Sequence, residues 1–561
     1  MSEHRDYTRS SFHIALLVIV FLVCVSFVPG FRVMGITVKR ANILSDVFAF
    51  QDERIVPLSD VSVLDTSFLA AYEPLEKAIP ETGHVYQTSV AAYEPETTSK
   101  FKGLSVPHIE NSDIVQIADY SPDGQMMAAF YHALAYEADE RVVRVAVLGD
   151  SFIEADIITA DMREQLQMEY GGSGVGFVPF STPLSKYRGT VTHNHRGWTN
   201  YNLIKYKTVP EEYSKWFMVS GMLSIPSEGA TTEYKGVQFR KRIEKTNTAS
   251  LFFVSRGETV LDVVLNEGEH KCYAPAPSDS MQCISMEMDG IESLCLELRD
   301  TEGFIGYGAV LEDTVGVSVH NFSVRSNSGL ALMATDRDIN REFDGFMKYD
   351  MVILQYGLNA MAADVMDYGY YGRQLVRIIN YIKECFPGSA VVVMSVGDRS
   401  TMQNGVVVTM PAVKAMLRTQ EEAAKACGVG FWNTYEAMGG DNSMPEFVKR
   451  NWAAKDYTHI GYSGGKYIAS QFVTFIKAAV ESVIMQDEER LAMEAAFEAE
   501  ERRHKAAHVM GKGILSIDSL AADIEAASDG RFRMEMYNDG EAAVTDSMAS
   551  GAATAGRQEN I

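Results

Sequence analysis

Residues 142–148 (VVRVAVL) run into Gly149-Asp150-Ser151 and then into a helical pattern, and this junction limits the possible folds more than any other stretch. The run is short, valine-rich and mostly apolar, as a strand buried on both faces must be. Gly149 and Asp150 break it. Ile157, Met162, Leu166 and Met168 then recur at helical spacing until Gly171-Gly172 closes the pattern. Ser151 therefore stands at the carboxyl end of a buried strand and at the start of a helix, where open α/β sheets hold their ligands. A helix N-terminus offers free N–H groups and partial positive charge to a developing oxyanion. Serine is also a favoured helix N-cap, so the junction alone decides nothing.

The rest of the chain repeats the alternation. Strands are expected at 315–319, 350–355, 390–395 and 429–432, and helices at 124–138, 372–386, 410–426 and 464–485. Strands alternating with helices predict a three-layer α/β/α domain around a mainly parallel sheet, resembling a flavodoxin-like arrangement. Residues 199–311 follow another rule. Leu294, Leu296 and Leu298 face one way, and Cys295, Glu297 and Arg299 the other. About 110 residues of such short strands fit a β-sandwich inserted into the α/β domain. The two parts of the α/β domain then span 121–198 and 312–485.

Residues 14–28 are nearly all apolar and end at Pro29-Gly30. The run is short of the roughly 20 residues that span a bilayer, but Phe12 and His13 extend it. Residues 1–30 are read as an uncleaved signal anchor with the bulk of the chain exported, a cleaved signal peptide being the rival. Residues 31–120 are an irregular lead-in or tether. Residues 486–561 are a charged helix followed by a disordered acidic tail.

The chain carries 75 acidic and 50 basic residues, a formal net charge of −25. Bulk electrostatics therefore exclude nucleic acid as a partner. The 6 cysteines include no CxxC pair, so a zinc site has no support; neither a metal nor a cofactor is expected. A Cys272–Cys283 bridge is one pairing the spacing leaves open.

Other stretches bring chemistry to the edge that Ser151 occupies. Asn359, in Gln355-Tyr356-Gly357-Leu358-Asn359, follows a buried strand, and its amide can donate to an oxyanion. Asp456 precedes His459 by one loop turn, close enough to hold Nδ1–H and leave Nε2 to take a serine proton. Residues 321–329 (NFSVRSNSG) can add a backbone N–H. A competing GxSxG pattern surrounds Ser463, but no buried strand precedes it, and it reads as the N-cap of the last helix. His193 and His195 have no acidic or cysteine partner nearby and suit a loop better than a metal.

Together these blocks resemble the SGNH, or GDSL-type, hydrolases. The resemblance implies Ser151 as nucleophile, His459 as general base and Asp456 as its orienter. It implies an oxyanion hole from the Ser151 N–H, the Ser326 N–H and the Asn359 amide. Asp150, Gly357 and Trp198 are the candidate substrate-binding residues, Trp198 reading also as a buried core aromatic. The family has Gly where Ser326 aligns, with Gly329 as the fallback donor, and often Asp where Ala360 stands. Asp156, Thr159, Arg163 and residues 174–179 look most like peptidoglycan and polysaccharide O-acetylesterases, several of which carry an inserted β-sandwich similar to carbohydrate-binding modules. The implied partner is an acetylated polysaccharide or peptidoglycan. Membrane-anchored O-acetyltransferases, which would need a membrane acyl-donor partner, look alike at these blocks. A glycan-binding surface protein without activity is the reading from another class.

Overall fold

The computed structural model describes residues 103–111 and 113–509, with two short strands at 31–33 and 36–38. The expected anchor at 14–28, most of the lead-in and the tail beyond 509 lie outside the described residues.

The central sheet contains β1 (Ile117–Asp119), β2 (Val142–Gly149), β3 (Gly316–Ser323), β4 (Met351–Gln355), β5 (Ala390–Met394) and β6 (Gly430–Trp432). Their order is β3-β2-β4-β5-β6-β1. All pairings are parallel except the edge pair β6-β1. β1 arises inside the segment read as irregular, because a three-residue edge strand has no periodicity to detect. β2 is buried apart from half-buried Arg144, as its valine-rich run requires. Gly149 lies level with Ser323 of β3 and Gln355 of β4, so these strands end on one edge. β2 sits at the switch point, with the earlier crossover leading to one side and the later ones to the other.

Helices α1 (Met126–Tyr136), α2 (Thr159–Tyr170), α3 (Arg337–Met347), α4 (Gly369–Cys385) and α5 (Pro411–Cys427) connect the strands. Their buried faces join the same apolar core as the sheet. α3 was not legible in the sequence; Asp336 caps it, accepting from the N–H groups of Asp338 and Ile339 at 2.9 and 3.0 Å.

The last helix, α6 (Tyr462–Val509), continues past residue 485. It is long and apolar enough to cross a membrane, but half of its apolar stretch is buried in the protein. Ile468, Phe472, Val473, Ile476 and Val480 fill the core, which accounts for that composition. Residues from Glu488 onward form a separate unit whose described part is charged and exposed. Ser463 lies inside the first turn of α6, so it is not the N-cap; Gly461 holds that place. The only pairing described in 451–460 is an isolated bridge between Ala453 and Ile460, so the strand a nucleophile elbow needs is missing there.

A second sheet of nine strands, all antiparallel, lies between Gly176 and Glu312. It begins earlier than residue 199. Gly176–Pro179 pairs with Phe304–Glu312, and Thr192–Asn202 pairs with Met222–Lys235. The sequence showed no alternation in either segment strong enough to mark them. Leu294, Leu296 and Leu298 are buried, and Cys295, Glu297 and Arg299 are exposed, as their alternation predicts. The leucines join Leu261, Val263, Leu251 and Phe253 in a core of their own. Cys272 and Cys283 are both free thiols, so no bridge joins them.

Candidate active site

Ser151 lies directly after β2, but the helix does not start there. Residues 151–157 form turns and a 3-10 segment, and α2 begins only at Thr159. Ala155 and Asp156 have φ of 56° and 66°, left-handed values that an α-helix cannot accommodate. The α-helix dipole therefore does not act on Ser151 as the sequence suggested.

The turn is held from beneath. The buried Asp156 carboxylate accepts from Thr159 Oγ1 at 2.6 Å, Arg188 Nε at 2.9 Å and Asn321 Nδ2 at 3.0 Å, with Arg163 at 3.4 Å. Burial opposes its charge, yet Arg163 and Arg188 hold its pKa below the ordinary carboxylate value. Asn321 also donates to Ile153 O at 2.8 Å. The O-acetylesterase-like residues Asp156, Thr159 and Arg163 thus brace the serine turn rather than face a ligand.

Ser151 Oγ lies 3.3 Å from His459 Nε2, and His459 Nδ1 lies 2.8 Å from Asp456 Oδ2. The Asp456 turn is built by the sequence itself. Its other oxygen accepts from the N–H groups of Thr458 and His459 at 3.0 and 3.1 Å, and Tyr457 turns the chain at a φ of 55°. Burial pushes Asp456 up, but the bonds from His459 and the two backbone N–H groups more than offset it and leave its pKa lowered. α6 follows at once and approaches the serine turn closely. A Cβ on Gly465 would sit 1.9 Å from Ile157 O, and one on Gly464 2.4 Å from Trp452 O. No side chain fits at either position, so the Gly-Gly pair reflects close packing, not an elbow.

Asn359 reaches the same edge from the turn after β4, which Gly357 opens at a φ of 119°. Its amide donates to Asp150 Oδ2 at 3.0 Å and to Asn327 O at 3.1 Å. Asp150 is fully buried and accepts from Phe152 N–H at 2.9 Å with its other oxygen. Burial pushes its pKa up to about 7, against the bonds from Phe152 and Asn359 and the neighbouring His459. Asp150 is therefore placed to orient Asn359 and cannot meet a substrate directly. Gly357 is also buried, beside Val396 and Gln420.

Ser326 has a φ of 64°, a conformation glycine adopts freely, although it carries a side chain. The Gly329 N–H donates to Asn327 Oδ1 at 2.8 Å and is already engaged. Trp198 is not part of this edge. It stacks on Phe180 at 5.5 Å, donates to Thr231 O at 2.9 Å and packs against the second core. Its indole is held by the sheet, as an amphipathic aromatic is when its N–H finds a buried partner. His193 and His195 likewise bond backbone oxygens, of Phe180 and Thr182. Sequence reasoning missed Asn327, and also the pair of Arg325 with buried Glu154 beside the serine turn. Neither lies in a pattern that spacing reveals.

A parallel sheet with a serine, a histidine and an aspartate converging on its carboxyl edge defines the α/β hydrolytic folds as a class. Neither a protein-family model nor a curated protein matches the sequence. Among solved structures, a peptidoglycan O-acetylesterase in action aligns with a TM-score of 0.53 at 18% identity, over 65% of this chain and 99% of its own. A carbohydrate esterase family 2 enzyme with a carbohydrate-binding domain, from Corynascus thermopiles (Myceliophthora fergusii), aligns with a TM-score of 0.24 at 13% identity, over 52% and 99%. The fold is that of the SGNH/GDSL-type hydrolases.

Proposed function

We propose that this protein is a serine esterase that removes O-acetyl groups from a cell-envelope or extracellular polysaccharide, peptidoglycan-like in kind. The observation that carries the reading is the bonded series from Ser151 through His459 to Asp456, at 3.3 and 2.8 Å. Ser151 Oγ attacks the acetyl carbonyl while His459 Nε2 takes its proton. Asp456 keeps the other ring nitrogen protonated and oriented, and stabilises the imidazolium. The N–H groups of Ser151 and Ser326 and the Asn359 amide receive the oxyanion. Both Asn359 hydrogens are engaged at rest, so the amide serves by sharing one of them. His459 then returns the proton to the sugar oxygen, and water releases acetate from the acetyl-serine by the same route in reverse.

The nine-stranded region is proposed as an inserted β-sandwich related to carbohydrate-binding modules, and residues 1–30 as the anchor that holds the enzyme outside the cell. The carbohydrate specificity draws support from the O-acetylesterase with which the fold aligns. The apolar run at 14–28 favours a second reading, a membrane-anchored O-acetyltransferase with the same triad and a sugar hydroxyl in place of water.

The test is acetate release from a chromogenic acetyl ester by the full-length protein in detergent, beside Ser151→Ala and Ser463→Ala. Activity should fall by about 10⁴-fold in Ser151→Ala and persist in Ser463→Ala. An added oligosaccharide acceptor that captures the acetyl group would establish transfer instead. An inactive wild type would leave a glycan-binding role.

A further inference from the structure

Several arginines near the catalytic edge meet carboxylates, Arg163 and Arg188 sharing the single one of Asp156. Arg163 and Arg188 meet Asp156 at 3.4 and 2.9 Å, Arg240 meets Asp161 at 2.9 Å, and Arg325 is bonded to Glu154. Among the described residues, no carboxylate lies within 4.0 Å of Arg399. Among the described residues its guanidinium makes one hydrogen bond, a long one of 3.4 Å to Leu358 O. A guanidinium carries five N–H donors in a rigid fork, and nearly all of this one remain unspent.

The position of Arg399 is specific. It lies just beyond the carboxyl end of β5, the strand beside β4. Leu358, its hydrogen-bond partner, immediately precedes Asn359. The next residue, Ser400, donates its N–H to Tyr457 O at 3.0 Å, inside the turn that carries Asp456 and His459. Arg399 thus stands between the asparagine turn and the histidine turn, both of which line the site. Its base is rigid. Met410 N–H donates to Arg399 O at 2.7 Å, closing the hairpin 400–409 on it. Buried Asp398 accepts from Thr409 Oγ1 at 2.9 Å and Met444 N–H at 2.8 Å.

The side chain is half-buried. Burial lowers its pKa, with the fields of Asp456 and Tyr368 acting the other way. A partly desolvated cation without an acidic partner is costly unless something returns the lost hydrogen bonds. The molecule as a whole is at −25, which disfavours an anionic polymer near the site unless a local cation offsets it. Carboxylates match the guanidinium fork in two-bond geometry, and a neutral sugar hydroxyl does not.

We infer that Arg399 binds a carboxylate of the substrate, so that the esterase acts on an acetylated glycan bearing an acidic group close to the acetyl ester. The inference rests on the esterase reading for its site, and it names the substrate class. The acidic group is borne by a sugar acid or by a peptide attached to the glycan; both present the same chemistry.

The full-length protein is assayed on an O-acetylated uronic-acid oligosaccharide and on an O-acetylated glycan fragment with a carboxylate-bearing peptide, each beside its carboxyl-amidated form. The wild type should prefer at least one acidic form by about ten- to a hundredfold in kcat/KM, mostly through KM. The favoured pair identifies which source supplies the carboxylate. Arg399→Gln should abolish the preference, and Arg399→Lys should keep part of it, because a point charge remains without the fork. A wild type indifferent to amidation, or an Arg399→Gln variant that slows acidic and amidated forms equally, overturns the inference. Calorimetric titration of Ser151→Ala, with and without Arg399→Gln, reads the same preference without turnover. Failure of the esterase reading appears separately, as a wild type inactive on the chromogenic ester.

Discussion

Ser151, His459 and Asp456 share their chemistry with a second set of groups in the same protein, Ser318, His320 and Glu312. The second set is the tighter at the serine, with Ser318 Oγ 2.8 Å from His320 Nε2 against 3.3 Å in the first. Glu312 Oε2 lies 3.2 Å from that same nitrogen, and Tyr349 holds Nδ1 at 2.6 Å. Serine and acid therefore compete for one nitrogen of the ring, where His459 takes them on its two different nitrogens. Access differs as well. Ser318, His320 and Glu312 are sealed between β3 and the strand Phe304–Glu312, whereas His459 and Asp456 retain about a quarter to a third of their side-chain exposure. Glu312 is also committed to Arg144, which grips it at 2.8 Å and 3.0 Å and donates to Met347 O at 2.7 Å. Burial keeps His320 below its ordinary pKa despite Glu312. Short distances among these residue types do not make a reaction centre. The ring must be offered to the serine on one side and to the acid on the other, at an edge a substrate can reach.

The largest expected contrast is between the two histidines. His459→Ala should lower kcat on an acetyl ester by about 10⁴-fold with the thermal transition unmoved. His320→Ala should instead lower the melting temperature while the folded protein keeps its turnover. Loss of turnover in folded His320→Ala would break the comparison. Next in size, Glu312→Gln leaves Arg144 without its anion and should cost about 3–5 kcal/mol of stability, read by denaturant unfolding, with kcat/KM of the folded protein little changed.

Acid titration sharpens the same contrast. His320 has a folded pKa below its ordinary 6.5, so the unfolded chain binds its proton first and stability falls as pH drops below that value. Glu312 is lowered from 4.5 to about 2, where bonds from His320 and Arg144 override burial; its contribution is complete above 4.5 and is lost on the way down to about 2. Thermal scans should show wild type losing stability across both windows and Glu312→Gln losing less across the lower one. An equal slope for the two proteins below pH 4.5 would show that Glu312 is not ionised in the fold. The smallest effect concerns Ser326. Replacing it by glycine removes a left-handed strain of about 1–2 kcal/mol and adds unfolded-chain entropy worth about 0.4–1 kcal/mol, for a net gain of up to about 1.6 kcal/mol. Turnover should be retained, since only a backbone N–H is asked of this position. A loss of turnover would show that its hydroxyl matters.

What was legible in the sequence follows from range. The five parallel strands of the central sheet declared themselves by continuous apolar runs, as the edge strand β1 did not, and α4 and α5 by their period. Ser151, Asn359 and the Asp456-His459 pair were found because each sits just after a strand or just before a helix. The start of α2 was misread because the pattern from Ile157 onward cannot report the positive φ of Ala155 and Asp156, which a buried network with Asn321 stabilises from far along the chain. Trp198 read as a sugar-stacking or a core aromatic, and the structure places it in the core, stacked on Phe180. The engagement of both Asn359 hydrogens joins residues 150, 327 and 359, and no window of sequence contains that triangle.

The contact of Gly465 with Ile157 O has a consequence for how the protein is made. Synthesis delivers the serine turn early and the histidine turn some three hundred residues later, and they meet only when α6 seats against the serine turn. A nascent chain released before that point has Ser151 without His459. Pairing of Ser151 with His459 is thus withheld until the last core helix has left the ribosome and docked, so on the proposed reading an incomplete chain has no working centre.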